Sequence, residues 1–195
     1  PSLVRGLLPF YVRCARAFGP VLAQEFGTIV TFGAKQQDGY LRAMLPACWQ
    51  AGANGFLWWC LKDITARVHP YLKNGFEGTL GLVDANGQVK PGLEYYLEFA
   101  RSLPTRPAPA PEPEAIGLYW PKKYYARDDQ ENPGNQPREV SRRMVIANYL
   151  LNQLGHAVRV VRGDRPLPGD LKTLVIASAL LTVDEAEALE TWVRA

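Results

Sequence analysis

The chain has 195 residues, 47% of them hydrophobic and 21% charged, with a net charge of +3 at pH 7. This is the balance of a globular protein with room for one large domain or two small ones. The charge is spread without a basic block, which argues against nucleic acid as the main partner, and no apolar run reaches the length that spans a bilayer.

The first pattern is helical. Leu3, Leu7, Cys14 and Phe18 recur at roughly helical spacing, with Pro9 inside the run, so a helix over residues 3–17 is either kinked or starts there. Gly19-Pro20 ends it. The stretch "PVLAQEFGTIV" then reads as a buried strand over Pro20–Glu25. It closes on a carboxylate, and burying a charge costs free energy unless the charge is paired or used. On this strand Ala23 and Glu25 point one way and Gln24 the other.

A second helical pattern carries Leu41, Met44, Leu45 and Cys48 on one face, with Pro46 interrupting it and Gly52 as a stop. "GFLWWCLKDI", Gly55 to Ile64, is a continuous apolar run and reads as a second buried strand. Leu57, Trp59, Leu61 and Asp63 share one of its faces, and Trp58 is expected to pack outward against helices. Asn86-Gly87 between Val83 and Val89 signals a tight turn. Pro91 opens a helix with Leu93, Tyr96, Leu97 and Ala100 along one side.

"LPTRPAPAPEPE", Leu103 to Glu114, favours an extended polyproline conformation and divides the chain as a semi-rigid spacer. Beyond it the alternation resumes. A strand over Ala115–Trp120 is followed by a long polar loop. A helix over residues 139–154 comes next, with Val140, Met144, Ala147, Leu151 and Leu154 in one stripe and Gly155 as its stop. "AVRVV" and "LKTLVIASALL" read as strands. Thr182 with Glu185 forms a capping box for a last helix whose inner face is Ala186, Leu189 and Val193. The chain opens on Pro1 inside one helical pattern and stops inside another, so it is expected to be a segment of a longer polypeptide.

Continuous apolar strands alternating with helices indicate parallel sheets in an α/β protein. In such folds chemistry gathers at the C-terminal ends of the strands, where Glu25 lies. Trp59 lies near the end of the neighbouring strand, followed by Asp63. An aromatic ring beside a carboxylate suits a sugar, whose apolar face packs on the ring while its hydroxyls need polar partners. Cys14, Cys48 and Cys60 sit inside apolar elements without C-x-x-C spacing and read as buried thiols, which suits a reducing, cytoplasmic setting. His69 and His156 have no second ligand at metal spacing, so no metal or cofactor is expected.

These residues bring a resemblance into view. Residues 1–103 resemble the last portion of the (β/α)8 barrel of clan A glycoside hydrolases. "QEFG" resembles the motif that ends strand seven, which implies that Glu25 is the catalytic nucleophile. "GANGFLWWCLKDI" resembles strand eight, which implies that Trp59 floors the subsite of the cleaved sugar and that Asp63 contacts substrate. "GLVDANGQVKPGLEYYLEFAR" resembles the tail of these barrels. Residues 115–195, above all "LKTLVIASALLTVDEAEALETWVRA", resemble the start of the α/β domain that follows the barrel in family 42 β-galactosidases. That implies an amidotransferase-like fold and a homo-oligomer, a trimer, assembled through these residues.

The expected architecture is therefore a partial (β/α)8 barrel over residues 1–103, a linker over 104–114 and a doubly wound α/β domain over 115–195. The activity implied is retaining hydrolysis of β-linked sugars, β-galactosidase-like or β-mannanase- and cellulase-like, with the acid/base Glu upstream of Pro1 and the isolated segment inactive. Asp63 is expected to bind a sugar hydroxyl or to fix Lys62 or Arg67. The alternative is a non-catalytic carbohydrate-binding or assembly protein on the same barrel. A catalytic amidotransferase- or flavodoxin-like reading of the second half is disfavoured, because that half has no Cys and no Gly-rich phosphate loop.

Overall fold

The computed structural model describes residues 3–27, 34–65, 75–107, 116–124, 136–177 and 181–194. They form two compact units, one of Gly19–Ala110 and one of Pro1–Phe18 with Pro111–Ala195. Both are mixed α/β with parallel sheets.

The unit of Gly19–Ala110 pairs strand β1 (Val21–Phe26) in parallel with strand β2 (Ala53–Trp58), and helix α2 (Ala34–Gln50) connects them. Leu41, Met44, Leu45 and Cys48 are buried, as the helical stripe predicts, and α2 runs through Pro46. Gly52, at φ +98°, makes the turn into β2 with a backbone only glycine adopts without strain. Helix α3 (Pro91–Ser102) packs against α2 and begins at Pro91, with Lys90 as its N-cap residue. The helices approach closely at Gly92, where a Cβ would lie 2.9 Å from Leu41. The buried positions of α3 are Gly92 and Phe99 rather than the expected Leu93–Leu97 side, and Leu97 is exposed. Phe99 wins that place through edge-to-face packing on Phe56 of β2 at 5.8 Å.

β2 is shorter than the apolar run that suggests it. It ends at Trp58, and the following residues leave the strand, with a cis peptide between Trp59 and Cys60. The segment 60–64 is instead zipped to residues 77–83. Leu82 and Val83 donate to the carbonyls of Cys60 and Leu61, while Asp63 and Ile64 donate to those of Val83 and Glu77. The Asn86-Gly87 turn forms as expected, with Gly87 at φ +88° and Asp84 Oδ1 accepting from the amides of Asn86 and Gln88. The first residues of the proline-rich run are not extended: Leu103–Thr105 form a 3-10 turn on the end of α3.

The second unit holds a three-stranded parallel sheet in the order β4-β3-β5, from β3 (Ile116–Trp120), β4 (Val158–Arg162) and β5 (Leu174–Ile176). Helix α4 (Gln136–Gln153) joins β3 to β4, and helix α5 (Val183–Arg194) follows β5. Helix α1 (Leu3–Arg16), which the sequence reading places with the barrel portion, packs here. Phe10 is buried with Leu118, Met144, Val158 and Val160, and the Arg162 guanidinium lies 3.8 Å from the centre of the Phe18 ring. Two expected stripes shift. Leu154 is 73% exposed, and α5 turns Glu185 and Leu189 inward while Val193 is 75% exposed.

The buried Glu185 explains the second shift. Its carboxylate accepts from Thr182 N, Thr182 Oγ1, Lys122 N and the Tyr119 hydroxyl, so the capping box also ties α5 to the end of β3.

Candidate functional site

Glu25 stands at the C-terminal end of β1, and local geometry singles it out. The β1–β2 register pairs Gln24 with Leu57 and Phe26 with Trp58, so Glu25 is an extra residue, a bulge. Its φ is +51°, the only positive value at a non-glycine among the described residues. An L-residue held there costs about 1–2 kcal/mol, and such outliers cluster at functional sites. The bulge also breaks strand parity. Glu25 does not share the buried face of Ala23; Gln24 and Glu25 are both exposed, and Phe26 turns back into the core.

Gly27 completes the "QEFG" stretch for a steric reason. A Cβ there would lie 3.0 Å from the Trp59 carbonyl oxygen and against the Trp58 ring. This close approach seats the end of β1 on the two tryptophans, and the Trp59 amide donates to the Phe26 carbonyl at 3.2 Å. Trp58 packs towards the helices, edge-on to Phe26 at 5.4 Å and to Tyr40 of α2 at 6.1 Å, with its indole N–H on the Leu80 carbonyl. Trp59 is half-buried, and its Nε1 donates to Glu77 Oε2 at 3.0 Å. Glu25 and Trp59 thus lie on adjoining strand ends of one unit.

Asp63 is placed differently. Its Oδ1 accepts from Lys90 Nζ at 2.7 Å and from the Gly81 amide at 2.8 Å, and its side chain is largely buried. The partner is Lys90, not Lys62; Arg67 lies outside the described residues. Gly81 has no room for a side chain, since a Cβ would lie 2.3 Å from Asp63 N. Cys60 lies within electrostatic reach of Glu77 and Asp63. Burial pushes its thiol pKa up, and Glu77 and Asp63 push it further. None of the three cysteines is in a disulfide, and of the three expected to be buried only Cys48 is; Cys14 and Cys60 are half-buried.

Glu77 and Lys90 escape sequence reasoning. The signal for Glu77 is an acid between glycines in the apolar run "GFEGTLGLV"; that for Lys90 is a cation just before the proline that opens α3. Gln37 escapes it too. Fully buried on α2, it donates to the carbonyls of Leu80 and Gly81 and so supports the same segment. Among the described residues no three His, Cys, Asp or Glu side chains gather to hold a metal ion, and no helix is long and apolar enough to cross a membrane. His156 is exposed, and His69 lies outside the described residues.

Solved structures similar to this chain include an exo-β-1,4-mannosidase and proteins of the GH5_18 group. The first is an exo-β-1,4-mannosidase from Opitutaceae bacterium strain TAV5. It is 54% identical, with a TM-score of 0.85, over 98% of this chain and 34% of that one. A GH5_18 protein from Streptomyces cattleya, in complex with Manb1-4GlcNAc, is 22% identical over 90% of this chain and 44% of its own, with a TM-score of 0.68. One from Bifidobacterium longum subsp. infantis is 20% identical over 96% of this chain and 46% of its own, with a TM-score of 0.73. The chain thus spans about a third of the mannosidase and under half of the two GH5_18 chains. No protein-family model matches the chain, and no curated protein sequence does. These neighbours agree with the clan A resemblance. They lend no support to a family 42 trimerisation domain or to a β-galactosidase.

Proposed function

We propose that this chain is part of a retaining glycoside hydrolase that cleaves β-linked mannosides, with Glu25 as its nucleophile. In this reading residues 19–103 supply the last strands of a (β/α)8 barrel, and residues 115–195 form an accompanying α/β domain. The observation that carries it is the placement of Glu25: an exposed carboxylate on a strained bulge at a strand's C-terminal end, beside a half-buried tryptophan. The identity to the exo-β-1,4-mannosidase supports mannose over galactose as the sugar. Leu22 and Leu57, each about half exposed on the two strands, suit a sheet that has further neighbours in a whole barrel.

Chemically, Glu25 attacks the anomeric carbon and the leaving oxygen departs with a proton from a second carboxylic acid. Water, activated by that second group, then releases the sugar from Glu25. The two groups stand roughly 5–5.5 Å apart in retaining enzymes. Asp63 is poorly suited to be the second group, since Oδ1 is committed to Lys90 and Gly81. We assign the acid/base to a residue outside these 195. Trp59 offers a face for the sugar ring, and Asp63 Oδ2 is the atom left for a sugar hydroxyl.

The test uses the whole protein with aryl β-mannoside and aryl β-galactoside substrates and a 2-fluoro-mannosyl inhibitor. Hydrolysis of the mannoside, its loss in Glu25→Gln with binding retained, and a covalent label on the peptide holding Glu25 are expected. A label on another carboxylate removes Glu25 from the mechanism. Binding without turnover by the unaltered protein favours a non-catalytic sugar-binding barrel instead.

A further inference from the structure

We propose that Glu77 is the positioning residue for Trp59, fixing the plane on which the sugar ring rests; this depends on the reading of Trp59 given above. An indole has one donor, and here it is given to a carboxylate oxygen at 3.0 Å. Glu77 is itself only 9% exposed. A hydrogen bond to a charged acceptor in such a setting is stronger and more directional than one to water.

Glu77 is also anchored at its other end. It lies in the 3-10 helix Gly75–Thr79, and its backbone carbonyl accepts from Ile64 at 3.0 Å. That bond is the first rung of the zip that continues through Gly81 on Asp63 Oδ1, Leu82 on Cys60 and Val83 on Leu61. One segment, 77–83, therefore grips the chain after Trp59 through its backbone and grips the ring of Trp59 through Glu77. The amide of Trp59 is separately fixed to the carbonyl of Phe26, the residue after Glu25. Trp59 is thus tied through its ring N–H to Glu77 and through its backbone amide to the strand end that carries the proposed nucleophile. A tryptophan free to rotate would lose part of the sugar's binding free energy to side-chain ordering.

The proposal makes Glu77 act through Trp59 and not on the substrate. In the whole protein, Glu77→Ala is expected to raise KM for an aryl β-mannoside about tenfold, the size of one lost charge-assisted hydrogen bond, with a smaller change in kcat. Glu77→Gln keeps an acceptor oxygen and is expected to recover most of that loss. In a Trp59→Phe background, which has no indole N–H, Glu77→Ala is expected to add no further change. An additional loss of similar size in that background overturns the proposal.

A second readout needs no activity. The indole N–H resonance that disappears in Trp59→Phe is expected to shift in Glu77→Ala and to return towards its position in Glu77→Gln. An unmoved resonance overturns the proposal even if the enzyme is active. If the resonance moves but no β-mannoside is turned over, the assignment of the site fails while the bond between Glu77 and Trp59 stands.

Discussion

The ammonium of Lys90 lies 2.7 Å from Asp63 Oδ1, joining the residue before α3 to the segment that follows β2, with both side chains largely buried. The Gly81 amide shares that oxygen, and Lys90 also donates to the Thr79 carbonyl. Removing one partner of such a pair leaves a charge with too few hydrogen bonds, which costs more than the pair contributes when intact. Lys90→Met is therefore expected to lower unfolding stability by about 2–4 kcal/mol, measured by chemical denaturation. Asp63→Asn combined with Lys90→Met should be less than additive. A fully additive double variant would show that the two residues are not coupled.

Glu25 holds a left-handed backbone that glycine adopts without a steric penalty. Glu25→Gly is expected to keep or raise stability, by up to about 1 kcal/mol once the greater freedom of glycine in the unfolded chain is counted, while abolishing turnover. Glu25→Val, β-branched at the same φ, is expected to destabilise. Paired melting and activity measurements on the two variants check this. A destabilised glycine variant would mean that the bulge is not strained.

Glu185 carries a pH dependence whose sign follows from its surroundings. Burial alone would raise its pKa, but the bonds from Thr182, Lys122 and Tyr119 together outweigh burial and hold it below the ordinary carboxylate value. A carboxylate depressed in the folded state contributes stability above its unfolded pKa, about 4.3. That contribution is lost as pH falls through the folded value. Denaturation curves between neutral pH and pH 3 should show this loss, and Glu185→Gln should show a shallower acid limb. An identical acid limb would place the proton uptake elsewhere.

Cys14 on α1 has its pKa pushed up to about 12 by burial, against a small opposing pull from Arg13. At pH 8 only roughly one thiol in ten thousand is then ionised. The native protein is expected to leave Cys14 unmodified by a thiol reagent at pH 8, and denaturant should expose it at once. Peptide mapping after brief alkylation separates Cys14 from Cys48 and Cys60; rapid native labelling of Cys14 would contradict the raised pKa.

Much of this arrangement is written in local pattern. The stripe Leu41–Met44–Leu45–Cys48, the turn at Asn86-Gly87, the proline that opens α3 and the Thr182–Glu185 capping box each depend on residues a few positions apart, and each forms where the pattern places it. Glu25 and Trp59 stand out in the sequence as candidates, because a charge and paired tryptophans at the ends of apolar runs conflict with plain burial. Less legible were the face of a helix whose neighbours are distant and the length of a strand inside an apolar run. α3 turns Phe99 inward because Phe56 waits there, and β2 ends at Trp58 because the following residues pair with 77–83 instead.

The sequence alone indicates most of the helices and strands, their alternation and the residue types at the strand ends, because periodicity and turn chemistry act over a few neighbours. Packing decides the rest. The bulge that turns Glu25 outward is a property of two strands in register, not of one. Lys90 pairs with Asp63 and Glu77 with Trp59 because folding brings together residues far apart in the chain. α1 packs with β3, α4 and β4 because the pocket around Leu118 and Met144 accepts Phe10. A buried charge or ring takes the partner that the backbone delivers, and only the folded chain specifies which one that is.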